Sequence, residues 1–114
     1  MSSKPIEVAV FGSLNMDFVV RVPRTPAAGE TLVGHGLTNF CGGKGANQAV
    51  ACARMGARVG MIGCVGADDP GTRLRAGLAA DGIETAHVRV AGPTSGVAVI
   101  LVDDAAENRI VIVP

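Results

Sequence analysis

The sequence has no tryptophan and no tyrosine, and only three phenylalanines among 114 residues. Stacking platforms for nucleobases or bare sugar rings are therefore scarcely supplied. Charge of one sign is also lacking: ten Lys and Arg balance ten Asp and Glu. With no basic surplus to neutralise a phosphate backbone, electrostatically driven nucleic-acid binding is disfavoured, and no charged tail stands out. Cysteine is sparse. Cys41, Cys52 and Cys64 form no C-x-x-C pair, which argues against a zinc site and reads as reduced thiols in a cytoplasmic protein. Apolar runs are short and broken by glycine or charge, and none approaches the ~20 residues that span a bilayer. Met1 to Glu7 lacks the apolar stretch of a secretory signal. No membrane partner is expected.

What the chain does have is apolar and small. Hydrophobic residues make up 48% and charged residues 18%, the balance of a folded domain rather than a disordered linker. Sixteen glycines without a collagen-like period point to tight turns and close backbone approach. The length suits one domain.

Ile6 to Phe11 reads as a buried strand, followed by a polar exit loop, Gly12 to Asp17. Phe18 to Val22 is a second β-branched run, ended by the turn residues Pro23, Pro26 and Gly29. Glu30 to Phe40 alternates without a strongly apolar face, as a strand of a thin, half-exposed sheet would. Gly42-Gly43-Lys44-Gly45 opens a helix over Asn47 to Met55, with Gly56 as its stop. Arg58 to Val65 is another strand, and Thr72 to Ala80 another helix, stopped at Asp81-Gly82. This strand–helix alternation implies a parallel α/β sheet. Val88 to Val90 is a brief strand. Ser95 to Val102 and Asn108 to Val113 form a hairpin around a five-residue polar loop. The expected architecture is a parallel core carrying a small β-flap.

Three stretches could carry chemistry. Gly42-Gly43-Lys44-Gly45-Ala46-Asn47-Gln48 sets a glycine turn and a lysine at a helix N-terminus, where free N–H groups and the dipole favour electron-rich ligands. It is not a P-loop: Thr38 stands where the first glycine belongs and Gly45 where Ser or Thr belongs. It is not a dinucleotide fingerprint either, because Gln48 replaces the third glycine. The bland alternative is a plain glycine turn. Asn15-Met16-Asp17 puts an amide and a carboxylate two residues apart in extended backbone, hence on one side. Together they can donate to and accept from vicinal hydroxyls; ordinary turn chemistry is the alternative. Asp68-Asp69 could hold Mg²⁺, but before Pro70 the pair fits a helix cap better. His35 and His87 are isolated, and Ser13 has no G-x-S-x-G context.

Gly12-Ser13-Leu14-Asn15-Met16-Asp17 together with Gly42-Gly43-Lys44-Gly45-Ala46-Asn47-Gln48-Ala49 resembles the PfkB family of sugar kinases, and within it the ribokinase group. Pro26-Ala27-Ala28-Gly29-Glu30-Thr31, Gly66-Ala67-Asp68-Asp69-Pro70-Gly71 and Ser95-Gly96-Val97-Ala98 look like the same family. The resemblance implies the N-terminal part of a ribokinase-like α/β parallel-sheet fold with a small β-sheet lid, its lid strands at about 18–40 and 95–113. It implies transfer of the γ-phosphoryl group of ATP to D-ribose, with Mg²⁺ and a monovalent cation such as K⁺, and a homodimer formed through the lid. By position, Asn15, Met16 and Asp17 would lie on the sugar, with Asn15 and Asp17 bonding its hydroxyls. Gly43, Lys44, Gly45 and Asn47 would close around it, and Ala98 and Ile100 would form an apolar wall. No Gly-Ala-Gly-Asp segment, the family's source of the catalytic base, occurs in the 114 residues. The expectation is therefore a chain that carries sugar-binding residues and lid but no catalytic base, inactive alone, with an exposed sheet edge and face that favour self-association. A non-catalytic sugar-binding or dimerisation module, and a PfkB kinase for another sugar or nucleoside, stay open as alternatives.

Overall fold

The structure, a computed structural model, describes residues 5–114. Nine elements follow in order: β1 (Val8–Phe11), β2 (Asn15–Arg21), β3 (Gly36–Gly42), α1 (Lys44–Arg54), β4 (Val59–Val65), α2 (Asp69–Ala80), β5 (Glu84–Val90), β6 (Gly96–Val102) and β7 (Asn108–Val113). They build two sheets. The first is parallel, in the order β1-β4-β5; the second runs β3-β2-β6-β7. In the second sheet β2 and β6 are parallel neighbours, and β3 and β7 flank them antiparallel. The expected α/β fold with a separate small sheet is what forms.

Alternation sets the core. Val10, Val59, Met61, Val65 and Val88 point to one face of the parallel sheet, where they pack with Ala46 and Ala49 of α1 and Leu74 and Leu78 of α2. Small residues on α1 let that helix approach closely. The opposite face of the same sheet is bare: Phe11 is 83% exposed, and its register partner Ile62 is exposed as well. The second sheet projects beyond this layer, so the radius of gyration is 16.4 Å, against roughly 13–14 Å for a compact chain of this length.

Several boundaries differ from the sequence reading, each for a tertiary reason. Asn15 to Asp17 is not loop but the start of β2, because those residues pair with β3 and β6 at once. The exit loop shrinks to Gly12–Leu14. Glu30 to His35 is not strand; β3 begins at Gly36. The preceding loop is closed on itself by the Arg24–Glu30 fork, with Nη–Oε distances of 2.5 and 2.6 Å, and by the Ala27 N–H donating to Glu30 at 2.9 Å. The Glu30 carboxyl is held down at about 2 by that guanidinium and N–H. β5 starts at Glu84 rather than Val88, since parallel pairing with β4 recruits a polar edge that alternation could not reveal. α1 begins at Lys44, and α2 at Asp69, capped by Asp68 with Pro70 in its first turn. That is the helix-cap reading of Asp68-Asp69. The hairpin between β6 and β7 has the expected 103–107 loop, its turn bonded to the Asp103 carboxylate.

Candidate sugar site

The two principal motifs meet backbone to backbone. Gly12–Leu14 leaves the carboxyl end of β1, the edge of an open α/β sheet where ligands gather. The Ala46 N–H donates to the Ser13 carbonyl at 3.0 Å. Gly43 has φ 102°, and a Cβ there would stand 2.5 Å from the Ser13 carbonyl oxygen. A Cβ on Gly45 would stand 2.7 Å from Gly12 and Ser13 backbone atoms. Only glycine allows this approach, so the glycine turn is more than a chain reversal: it presses the start of α1 against the loop ahead of β2.

β2 then sorts its side chains. Met16 is fully buried in the core beneath α2, so the Met16 side chain packs and is turned away from any ligand on the other face. Asn15 and Asp17 share that other face, and the Asn15 amide donates to Asp17 Oδ1 at 2.6 Å. The bond fixes the carboxylate and leaves its second oxygen for other donors. That oxygen lies over Gly42, where a Cβ would come within 2.6 Å of it. Gly42, read in the sequence as the first glycine of the turn but not placed on the sugar, thus joins the candidate site; the signal is its place opposite Asn15 in the β2–β3 register.

The register carries the face across the sheet. Asp17 pairs with Ala98, and Ala98 with Ile112; Val19 pairs with Ile100, and Ile100 with Ile110. Ala98 is buried and sits directly beside the carboxylate, while Ile100 lies one pair farther out. Ile110 and Ile112 extend the same apolar strip and were also passed over. A five-residue hairpin loop fixes their positions, so counting forward from it to the partners of Ile100 and Ala98 finds them. Asn15 also lines a cavity of about 590 Å³ with Gly12, Ser13, Gly63 and Gly96. Lys44 and Asn47 are exposed on the first turn of α1. Asn47 lines a smaller groove of about 230 Å³ against α2, and Lys44 lines neither space. The motifs adjoin through their backbones.

The chain matches the profile described as pfkB family carbohydrate kinase over residues 5–114. It belongs to the pfkB family of carbohydrate kinases. Among curated relatives, this pfkB-family chain is 44% identical over 106 residues to the ribokinase of Haemophilus influenzae, a match covering 92% of this chain and 35% of that protein. Among solved structures, ribokinase from Giardia lamblia superposes with a TM-score of 0.88 at 35% identity, covering 96% of this chain and 36% of that one. Arabidopsis thaliana ribokinase complexed with ribose and ATP superposes with a TM-score of 0.84 at 34% identity, covering 93% and 35%. The chain thus spans a little over a third of the length of the relatives it matches. Among the described residues, no group of three or more His, Cys, Asp or Glu side chains could hold a metal ion. No helix among the described residues is long and apolar enough to cross a membrane.

Proposed function

We propose that this chain forms the sugar-binding part of a ribokinase, with D-ribose as ligand and ATP as the phosphoryl donor of the complete reaction. The observation that carries the reading is the Asn15–Asp17 pair, bonded at 2.6 Å on the β2 face beside Gly42, Gly43 and Ala98. A carboxylate held by a neighbouring amide accepts from vicinal hydroxyls at fixed angles, and charge-assisted bonds of this kind are about twice as strong as neutral ones. Gly43 and Gly45 press the positive end of α1 against Gly12–Leu14, the loop that leads into that pair, and the reading has Lys44 and Asn47, on the exposed first turn of α1, close over the sugar when it binds. Ala98 and Ile100 supply the apolar wall, and the β3-β2-β6-β7 sheet acts as the lid. The chain is a single ribokinase-like α/β unit with this lid. It carries orientation rather than chemistry: phosphoryl transfer needs in-line positioning, charge neutralisation and a base on the attacking hydroxyl. The base, and the groups for ATP, Mg²⁺ and K⁺, are not assigned to these residues. β7 exposes Ile110, Val111, Ile112 and Val113, which supports a homodimer through the lid.

Calorimetric titration with D-ribose tests the reading. Wild-type chain is expected to bind, and Asp17→Ala to lose binding with its circular dichroism unchanged. Equal ribose affinity in the two proteins overturns it. The reading assigns these residues a non-catalytic role when alone, and ADP release from ribose and ATP by the purified chain would contradict that.

A further inference from the structure

Asp68 uses both carboxylate oxygens. Oδ1 accepts the Gly71 N–H at 2.8 Å, which caps α2, and also the Ser95 hydroxyl at 2.7 Å; Oδ2 accepts the Ser95 backbone N–H at 2.7 Å. The Ser95 hydroxyl in turn accepts the Gly66 N–H at 2.9 Å. Ser95 is only 6% exposed and is the one buried polar residue among those described. Three segments meet in this cluster: the end of β4, the start of α2 and the residue before β6. A helix cap needs one oxygen. The second is committed to the residue that precedes β6 of the other sheet, twenty-seven positions away.

Ser95 immediately precedes Gly96, the register partner of Asn15, and two residues later Ala98 lies beside Asp17. The loop leading there is already fastened at its start, where Ala91 donates to Val65 and Ala67 to Gly92. Its far end is held by Asp68. A slip of one residue along β6 would set Val97 or Val99 beside Asp17 and turn the strand's other face to the site. We propose that Asp68 is a positioning residue of the sugar pocket, acting through Ser95 to fix where β6 leaves the α/β layer and so which residue flanks Asp17. The proposal rests on the sugar-site reading above.

Asp68→Asn separates the two duties. Asparagine caps helices as well as aspartate does, but its amide offers a single acceptor oxygen, so the Gly71 and Ser95 N–H groups can no longer both be satisfied while α2 keeps its cap. Amide hydrogen exchange and ribose titration are measured on wild type, Asp68→Asn, Asp68→Ala and Ser95→Ala. In Asp68→Asn, α2 amides are expected to stay as protected as in wild type, while Val97 to Ile100 exchange about tenfold faster or more and ribose affinity falls about tenfold, the scale of one charge-assisted hydrogen bond. Asp68→Ala is expected to loosen both α2 and β6, and Ser95→Ala to loosen β6 alone. Wild-type β6 exchange in Asp68→Asn and Ser95→Ala overturns the proposal. A wild-type chain that does not bind D-ribose overturns the sugar-site reading instead, and the two failures are told apart by the exchange data.

Discussion

Replacing Gly43 by alanine tests the contact between the two motifs more sharply than any side-chain deletion. Two costs arise. The first is conformational: φ 102° with ψ 136° lies in a sparsely populated region that side chains avoid, at about 1–3 kcal/mol. The second is steric: that Cβ would stand 2.5 Å from the Ser13 carbonyl oxygen and 2.8 Å from the Leu14 Cα. Both neighbours are backbone and cannot swing aside, so overpacking adds about 1–3 kcal/mol. Gly29 supplies the control. Its φ is 76°, and nothing lies within 4 Å of a Cβ built there, so Gly29→Ala carries the conformational cost alone. A domain of this size has roughly 6–17 kcal/mol of stability in all. In urea denaturation followed by circular dichroism, Gly43→Ala should therefore unfold earlier than Gly29→Ala by about 1–3 kcal/mol, or roughly 5–15 °C in a thermal scan. Equal midpoints for the two variants would refute the inference that the glycine turn is pressed against the Gly12–Leu14 loop.

Other expectations follow from the same geometry. Leu74→Ala, at a side chain only 1% exposed between α2 and the sheet, should cost about 2–5 kcal/mol in urea denaturation. An NMR titration should place the Glu30 carboxyl midpoint near 2, below the ordinary 4.5, with Arg24 as the principal cause and the Ala27 N–H second. Because the folded value is depressed, the contribution of Glu30 is complete above pH 4.5 and is lost as pH falls toward 2; Arg24→Gln should return the midpoint toward 4.5. Val111→Lys, on the exposed edge strand β7, should shift the chain from a self-associated to a smaller species in sedimentation velocity, since a charge on an edge blocks strand pairing. Unchanged sedimentation would count against the lid as a dimer surface.

Much of this was legible in the residues. The parallel α/β layer could be read from alternating short apolar runs and glycine-stopped helices, and the β6–β7 hairpin from two β-branched runs with a polar loop between. Asn15 and Asp17 were legible as a same-side pair because strand periodicity alone dictates it. What stayed hidden depended on partners distant in sequence. Nothing local says that Asn15 opens a strand; that follows from simultaneous pairing with Gly42 and Gly96. Met16 looks like part of a polar motif until α2 covers it. The polar start of β5 becomes strand only because β4 is beside it. Asp68 reads as a helix cap, which it is, while its second oxygen finds Ser95 only once the chain is folded.

The most direct test of the account is a chemical-shift map of the ¹⁵N-labelled chain titrated with D-ribose. The expected result is a saturable set of changes centred on the amides of Asn15, Asp17, Gly42, Gly43 and Ala98, absent in Asp17→Ala. Changes confined to residues remote from the β2 face, or an identical map in Asp17→Ala, would contradict it.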